Sequence, residues 1–200
     1  NTPIIIHPEF WNKRRIRLPG KTPRILPTAS KFALQEGGLD VIEESRLPSF
    51  LLDNSLLITG EVDRVTGYEK GLAGQEVFNE GSWHPDPLTL DDQALIANIK
   101  GKGLIIVTGC GHSGIVNICN YAKKLTAEDK IHAIIGGFHL PDGLDTATIQ
   151  NTISDLKALD PDWLVPAHCT GQKAILSLVK ELPSSIIQNS VGSQYEFSSS

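Results

Sequence analysis

The sequence predicts an α/β fold built around a parallel sheet, with its chemistry on one rim of that sheet. Three stretches carry the prediction: LIIVTGCGHSG at residues 104–114, AIIGGFHL at 133–140 and WLVPAHCTG at 163–171. Each is an apolar run, a turn of small residues and a histidine, and a helical pattern follows. Short apolar runs bounded by turn signals fit buried strands, and their alternation with helical patterns fits βαβ units. If the three strands are neighbours, His112, His139 and His168 each fall just past a carboxyl end. Open α/β sheets bind ligands on that rim. Three imidazoles converging there are most economically a metal site.

The other elements follow in chain order. Residues 3–7 read as a strand closed by Pro8, and residues 10–27 as a basic, proline-rich loop. LDVIEES (39–45) and SLLITGEV (55–62) are strand-like, separated by Pro48 and by Asp53-Asn54. Residues 67–87 read as a long polar loop, and loops that long inside compact domains are usually functional or mobile. ALIANI is joined to GLIIVT by the KGKG turn at 100–103. Ile115, Ile118, Cys119, Ala122 and Leu125 fall at helical spacing. So do Ile149, Ile153, Leu156 and Leu159, after a cap at Asp145 or Thr146, and then Ala174, Ile175, Leu178, Val179 and Leu182, stopped by Pro183. VGSQYEF (191–197) reads as a last strand. Residues 1–197 are expected to form a single domain, with 198–200 as a tail.

Composition narrows the function. The formal charge of −5 lacks an offsetting basic stripe, which argues against nucleic acid as the partner. The one basic cluster, Lys13, Arg14, Arg15 and Arg17, reads as a solvated surface segment, with a phosphate or subunit contact as the alternative. No apolar stretch reaches membrane-spanning length and no signal peptide is visible, so no membrane role is expected. Cys110, Cys119 and Cys169 are odd in number and unpaired in spacing, which points to free thiols and the cytoplasm. The chain begins at Asn1 and contains no methionine, so more chain is expected before it.

The remaining polar residues divide into candidates and bystanders. Cys110 and Cys169 each neighbour a rim histidine. A thiolate is both a strong zinc ligand and a nucleophile, so both cysteines are candidates for catalysis. Cys119 lies on an apolar helix face and reads as packing. His132 sits at the wrong end of its strand, His84 lies in a loop, and His7 has only a minority claim on the rim. Glu61, Asp63 and Glu69 share a mixed-charge loop with Arg64 and Lys70. That loop is either solvated or turned towards substrate, with Arg64 placed to hold an anionic group.

The stretches TGEVDRVTGYEKG, DDQALIANIKGKGLIIVTGCGHSGIVN, HAIIGGFHL and PAHCTG, in this order, resemble the metallo-β-lactamase superfamily. The likeness is to the branch named for 7,8-dihydropterin-6-methyl-4-(β-D-ribofuranosyl)-aminobenzene-5′-phosphate synthase. It implies an αββα sandwich with zinc or another divalent metal, manganese among them, as one or two ions at the sheet edge. Carried onto this chain, the ligands fall on His112, His139 and His168. The superfamily's HxHxDH signature is absent, so the chain resembles the C-terminal two-thirds of the fold. The usual bridging aspartate is also absent, which leaves Cys110, His112 or His139 for that position.

The resemblance implies a metal-dependent, hydrolase-like enzyme acting on a phosphorylated or ester-bearing small molecule, or a pterin-methyl transferase of the methanopterin type. The alternatives are a non-catalytic ligand-binding or regulatory protein that retains the fold with an incomplete centre, and a Cys–His nucleophilic hydrolase.

Overall fold

The computed structural model describes residues 2–43 and 46–199. Strand β1 (Thr2–Ile5) leads into a 3-10 turn at Pro8–Trp11, then β2 (Arg14–Ile16), β3 (Arg24–Ile25), helix α1 (Lys31–Glu36) and β4 (Leu39–Ile42). Next come β5 (Ser49–Leu51), β6 (Leu56–Ile58), β7 (Gln75–Asn79), β8 (Ser82–Pro85) and β9 (Ala94–Ile99). The last part alternates: β10 (Gly103–Thr108), α2 (Ile115–Thr126), β11 (Ile131–Gly136), α3 (Thr146–Leu159), β12 (Trp163–Pro166) and α4 (Gln172–Glu181).

The main sheet has six strands in the order β12-β11-β10-β9-β6-β5. Strands β10, β11 and β12 are adjacent and parallel, as the repeated phrase requires, and the KGKG turn makes β9 antiparallel to β10. The three parallel strands bury nearly every side chain they carry, which is why they read as unbroken apolar runs. Leu104, Ile106, Ile134 and Leu164 share one core with Ile115, Ile118, Ala122, Ile149, Leu156, Ala174 and Leu178 from the three helices. Each such Leu or Ile contributes roughly 1.5–3 kcal/mol by leaving water. That packing makes the strand ends a rigid platform. Helix α3 is capped by Asp145, whose carboxylate accepts from the Thr148 N–H at 2.8 Å.

Several expectations change. Residues 67–87 are not all loop, because β7 and β8 form a hairpin in a four-stranded sheet ordered β3-β2-β7-β8. Its turn places Glu80 and Gly81 at positive φ, the geometry that suits a tight hairpin, and Phe78 faces Trp83 across it with ring centroids 5.2 Å apart. The basic cluster is not simply solvated. Arg14 is buried and pairs with Asp86 and Asp91 at 2.7 and 2.8 Å, and Arg15 pairs with Glu76. Residues 191–197 form no strand. The free edge of β12 is taken by the segment before them, since the Leu164 N–H donates to Ser185 at 2.8 Å and Leu164 accepts from the Ile187 N–H at 2.9 Å. Tyr195 and Phe197 instead lay their rings against Trp163. Glu44 and Ser45, which close the expected strand at 39–45, lie outside the described residues, as do Asn1 and Ser200.

Candidate metal centre

The residues that follow β10, β11 and β12 meet at one rim. Cys110 and His112 follow β10, His139 follows β11, and His168 and Cys169 follow β12. The Cys110 sulfur lies 3.1 Å from His168 Nε2. The donor atoms of Cys110, His168 and Cys169 all lie within 4.8 Å of one another, the one such group of three among the described residues. The rings of His112 and His139 stand edge to face with centroids 4.4 Å apart. The three histidines therefore share a rim, but as a pair and a single, with His168 beside the Cys110 thiol, rather than as one set of three.

Local backbone explains the convergence. Gly137 directly follows β11, between the two cysteines. A Cβ there would sit 2.5 Å from Cys169 Sγ and 2.8 Å from Cys110 Cα, so a missing side chain lets the flanking loops close over the middle strand. His139 adopts φ 46°, a left-handed conformation uncommon outside glycine, of the kind that recurs at functional sites. Its N–H donates to Cys169 Sγ at 3.3 Å.

The electrostatics suit metal ligation. The Cys110 thiol is held down to about 3 by its bonds to Cys169 and His112, with His168 adding to them against the cost of burial. Cys169 is pushed far up by the neighbouring Cys110 and by burial. Burial pulls His112 down, but Cys110 and Asp92 outweigh it and its pKa rises. Burial and the neighbouring His112 take His139 down to about 4, which leaves it neutral at physiological pH. Its Nδ1 is buried without a hydrogen-bond partner. A neutral imidazole with an unpartnered buried nitrogen, beside thiols and two further imidazoles, fits a zinc-type donor set.

Other polar residues hold the loops. Asp92, buried, accepts from the N–H groups of Gly111 at 3.2 Å and Ser113 at 2.8 Å, which fixes the turn that carries His112. Glu69 is neither solvated nor facing out. Its carboxylate caps α2, accepting from the N–H groups of Val116 and Asn117 at 2.9 Å each. Gly114 leaves room for it, since a Cβ there would lie 2.3 Å from the carboxylate carbon. Asn117 ties the same loop down, accepting from the Val65 and Thr66 N–H groups and donating to Ser113. The Arg64 guanidinium donates to the backbone carbonyls of His112 and Leu88. Asp92 and Asn117 had no assigned role in the sequence, and Glu69 only a place in the mixed-charge loop. No local signal marks them, because each acts on amides far along the chain.

The bystanders are accounted for. His132 bonds Asp162 at 2.6 Å, His84 bonds Ser82 at 2.8 Å, and His7 is buried against Glu61 at 3.1 Å. Cys119 is fully buried in the core. A cleft of about 500 Å³ opens beside His112 and His139, with Tyr68, Lys70, Thr148 and Asn151 on its walls.

The fold has a solved counterpart. The crystal structure of Tm1679, a metal-dependent hydrolase of the beta-lactamase superfamily, superposes with a TM-score of 0.81 at 21% identity, covering 98% of this chain and 71% of that one. The chain has the metallo-β-lactamase fold. By sequence it is similar, over part of its length, to a protein of the branch its motifs point to. The 7,8-dihydropterin-6-methyl-4-(beta-D-ribofuranosyl)-aminobenzene-5′-phosphate synthase of Methanocaldococcus jannaschii is 44% identical over 85 residues, which is 42% of this chain and 29% of that protein. An uncharacterized protein of the same organism, MJ0448, is 34% identical over 148 residues, or 74% of this chain and 51% of its own length. The chain thus spans about half the length, or less, of these relatives. No protein-family model matches it.

Proposed function

We propose that this metallo-β-lactamase-fold chain carries the strand-end part of a metal-dependent enzyme of hydrolase or transferase type. Its substrate would be a phosphorylated or ester-bearing small molecule, with neither nucleic acid nor membrane as partner and the cytoplasm as its compartment. The observation that carries this reading is the meeting of Cys110, His112, His139, His168 and Cys169 on one rim beside an open cleft. The described residues contain no helix long and apolar enough to cross a membrane.

His112, His139 and His168 would hold the ion, zinc or another divalent metal. When bound, it would lower the pKa of water towards about 7 or neutralise a phosphoryl leaving group. The rest falls to the chain. Asp92 and Arg64 fix the His112 turn by its backbone, and Glu69 anchors the start of α2 behind it. Leu140, Phe138 and Leu144 give the cleft an apolar side, while Lys70, Thr148 and Asn151 offer polar contacts to a small substrate. The pterin-methyl transfer named for the M. jannaschii relative is one form of this chemistry.

The test is elemental analysis of the full-length protein, followed by chelation and a panel of phosphate esters and carboxylic esters. A bound divalent ion, with turnover abolished by chelator and restored by zinc or manganese, is expected. Turnover that survives chelation but not thiol alkylation would favour a Cys–His nucleophile instead.

A further inference from the structure

The geometry points to a metal site with sulfur ligands, in which Cys110 and Cys169 bind the ion together with His168. This rests on the metal-enzyme reading and goes beyond its three-histidine ligand set. The donor atoms of the three residues lie within 4.8 Å of one another. Zinc bonds of about 2.3 Å to sulfur and 2.0–2.1 Å to nitrogen place tetrahedral donors roughly 3.5–3.8 Å apart, so modest closure suffices.

The backbone is shaped for the two sulfurs. They leave β10 and β12, which are not neighbours, and meet across the exit of β11. At that exit stands Gly137, where any side chain would strike Cys169 Sγ, Cys110 Cα and the Gly109 carbonyl, all within 2.8 Å. The His139 N–H already points at Cys169 Sγ, a contact that supports a sulfur anion. The Cys169 thiol now gives its hydrogen to the Cys110 carbonyl at 3.1 Å, and an ion would take that hydrogen's place.

A nucleophilic Cys110–His168 pair explains less of this. That mechanism wants a third group to orient the base, and the described residues give His168 no hydrogen bond other than the one to Cys110. It also leaves the second sulfur, its amide contact and the bare glycine between the loops without purpose. Two sulfurs and one imidazole select a soft or borderline ion, so zinc is preferred over manganese or magnesium.

The experiment uses the full-length protein, stripped of metal and then reloaded with zinc or cobalt(II). Iodoacetamide labelling mapped by mass spectrometry should modify Cys110 and Cys169 in the stripped protein and neither after zinc, with Cys119 unlabelled throughout. The cobalt form should show a near-ultraviolet thiolate charge-transfer band. Cys169→Ser should weaken that band to the part that Cys110 supplies and weaken zinc binding by more than the roughly 10–100-fold that removing an outer-shell partner costs. The labelling needs no variant, so a misfolded Cys169→Ser protein does not blunt the test. Zinc bound at full occupancy with both cysteines still labelled, and no charge-transfer band, overturns sulfur ligation while the metal-enzyme reading stands. No zinc bound at all overturns both.

Discussion

Arg64 donates to the backbone carbonyl of His112 across 3.3 Å and to that of Leu88 as well, so its charge is spent on holding the loop that carries a rim histidine. Burial lowers its pKa, with Asp92 and Glu69 pulling the other way. Arg64→Ala should destabilise the protein by about 1.5–3 kcal/mol, the range for hydrogen bonds to a charged group, and should weaken metal retention. Arg64→Lys should recover little, because an ammonium is a compact point charge and not a planar fork. Urea midpoints and metal content check this. A normal midpoint with normal metal and a raised KM alone would show that Arg64 contacts substrate instead.

Gly137 and its neighbour in space, Gly109, make a paired test of the rim. Alanine at 137 must push against backbone at Gly109 and Cys110, and overpacking of this kind costs roughly 1–3 kcal/mol. A Cβ at Gly109 meets nothing within 4 Å. Gly137→Ala should therefore lower both thermal stability and zinc affinity, while Gly109→Ala leaves both close to wild type. Equal behaviour of the two variants would show that the close approach at β11 has no bearing on the site.

His168 and His132 sit at opposite ends of adjacent strands, and each has one polar partner. His168→Ala should strip the metal and end activity in the full-length protein. His132→Ala removes the contact with Asp162 and the packing of its ring against Trp163 and Phe197, all at the end of the strand away from the rim, so its metal content should stay normal. Metal-to-protein ratios by elemental analysis decide the matter, and the same ratio in both variants would contradict the assignment.

The rim was legible because its signal is local. Strand, turn and histidine lie within a dozen residues, and the three phrases repeat. The supports of the rim were not legible, because they act at a distance. Glu69 reaches amides 47 and 48 residues along the chain, Asn117 reaches back 51 and 52, and Asp92 holds a turn 19 and 21 residues away. Polarity alone sends such residues to the surface, and only tertiary packing shows that an acid 47 residues from a helix's first amides is its cap. The β7–β8 hairpin was hidden for a related reason. Its strands carry Gln, Glu, Asn, Ser and His among a few aromatics, so alternation is weak, although Glu80-Gly81 marks the turn. For residues 191–197 the sequence had strand character and the fold had no free edge at Leu164 to receive it.

Glu69 makes stability depend on pH in a direction that can be worked out. Burial raises its pKa, and the amides of Val116 and Asn117, the Thr66 hydroxyl and Arg64 only partly offset that. The folded state therefore holds the proton more tightly than the unfolded chain, where a glutamate titrates near about 4.3. A raised pKa contributes stability that is complete below the unfolded value and lost as pH rises through the folded value. Glu69→Gln removes this titration while keeping one oxygen to accept from the start of α2. Relative to wild type, the variant should be least favourable in acid and should gain steadily as pH climbs from about 4 towards neutrality. Urea unfolding of both proteins across that range measures the difference directly. A difference that stays flat, or that runs the other way, would mean the amides at the start of α2 outweigh burial, and Glu69 would then cap the helix as a carboxylate of ordinary or lowered pKa.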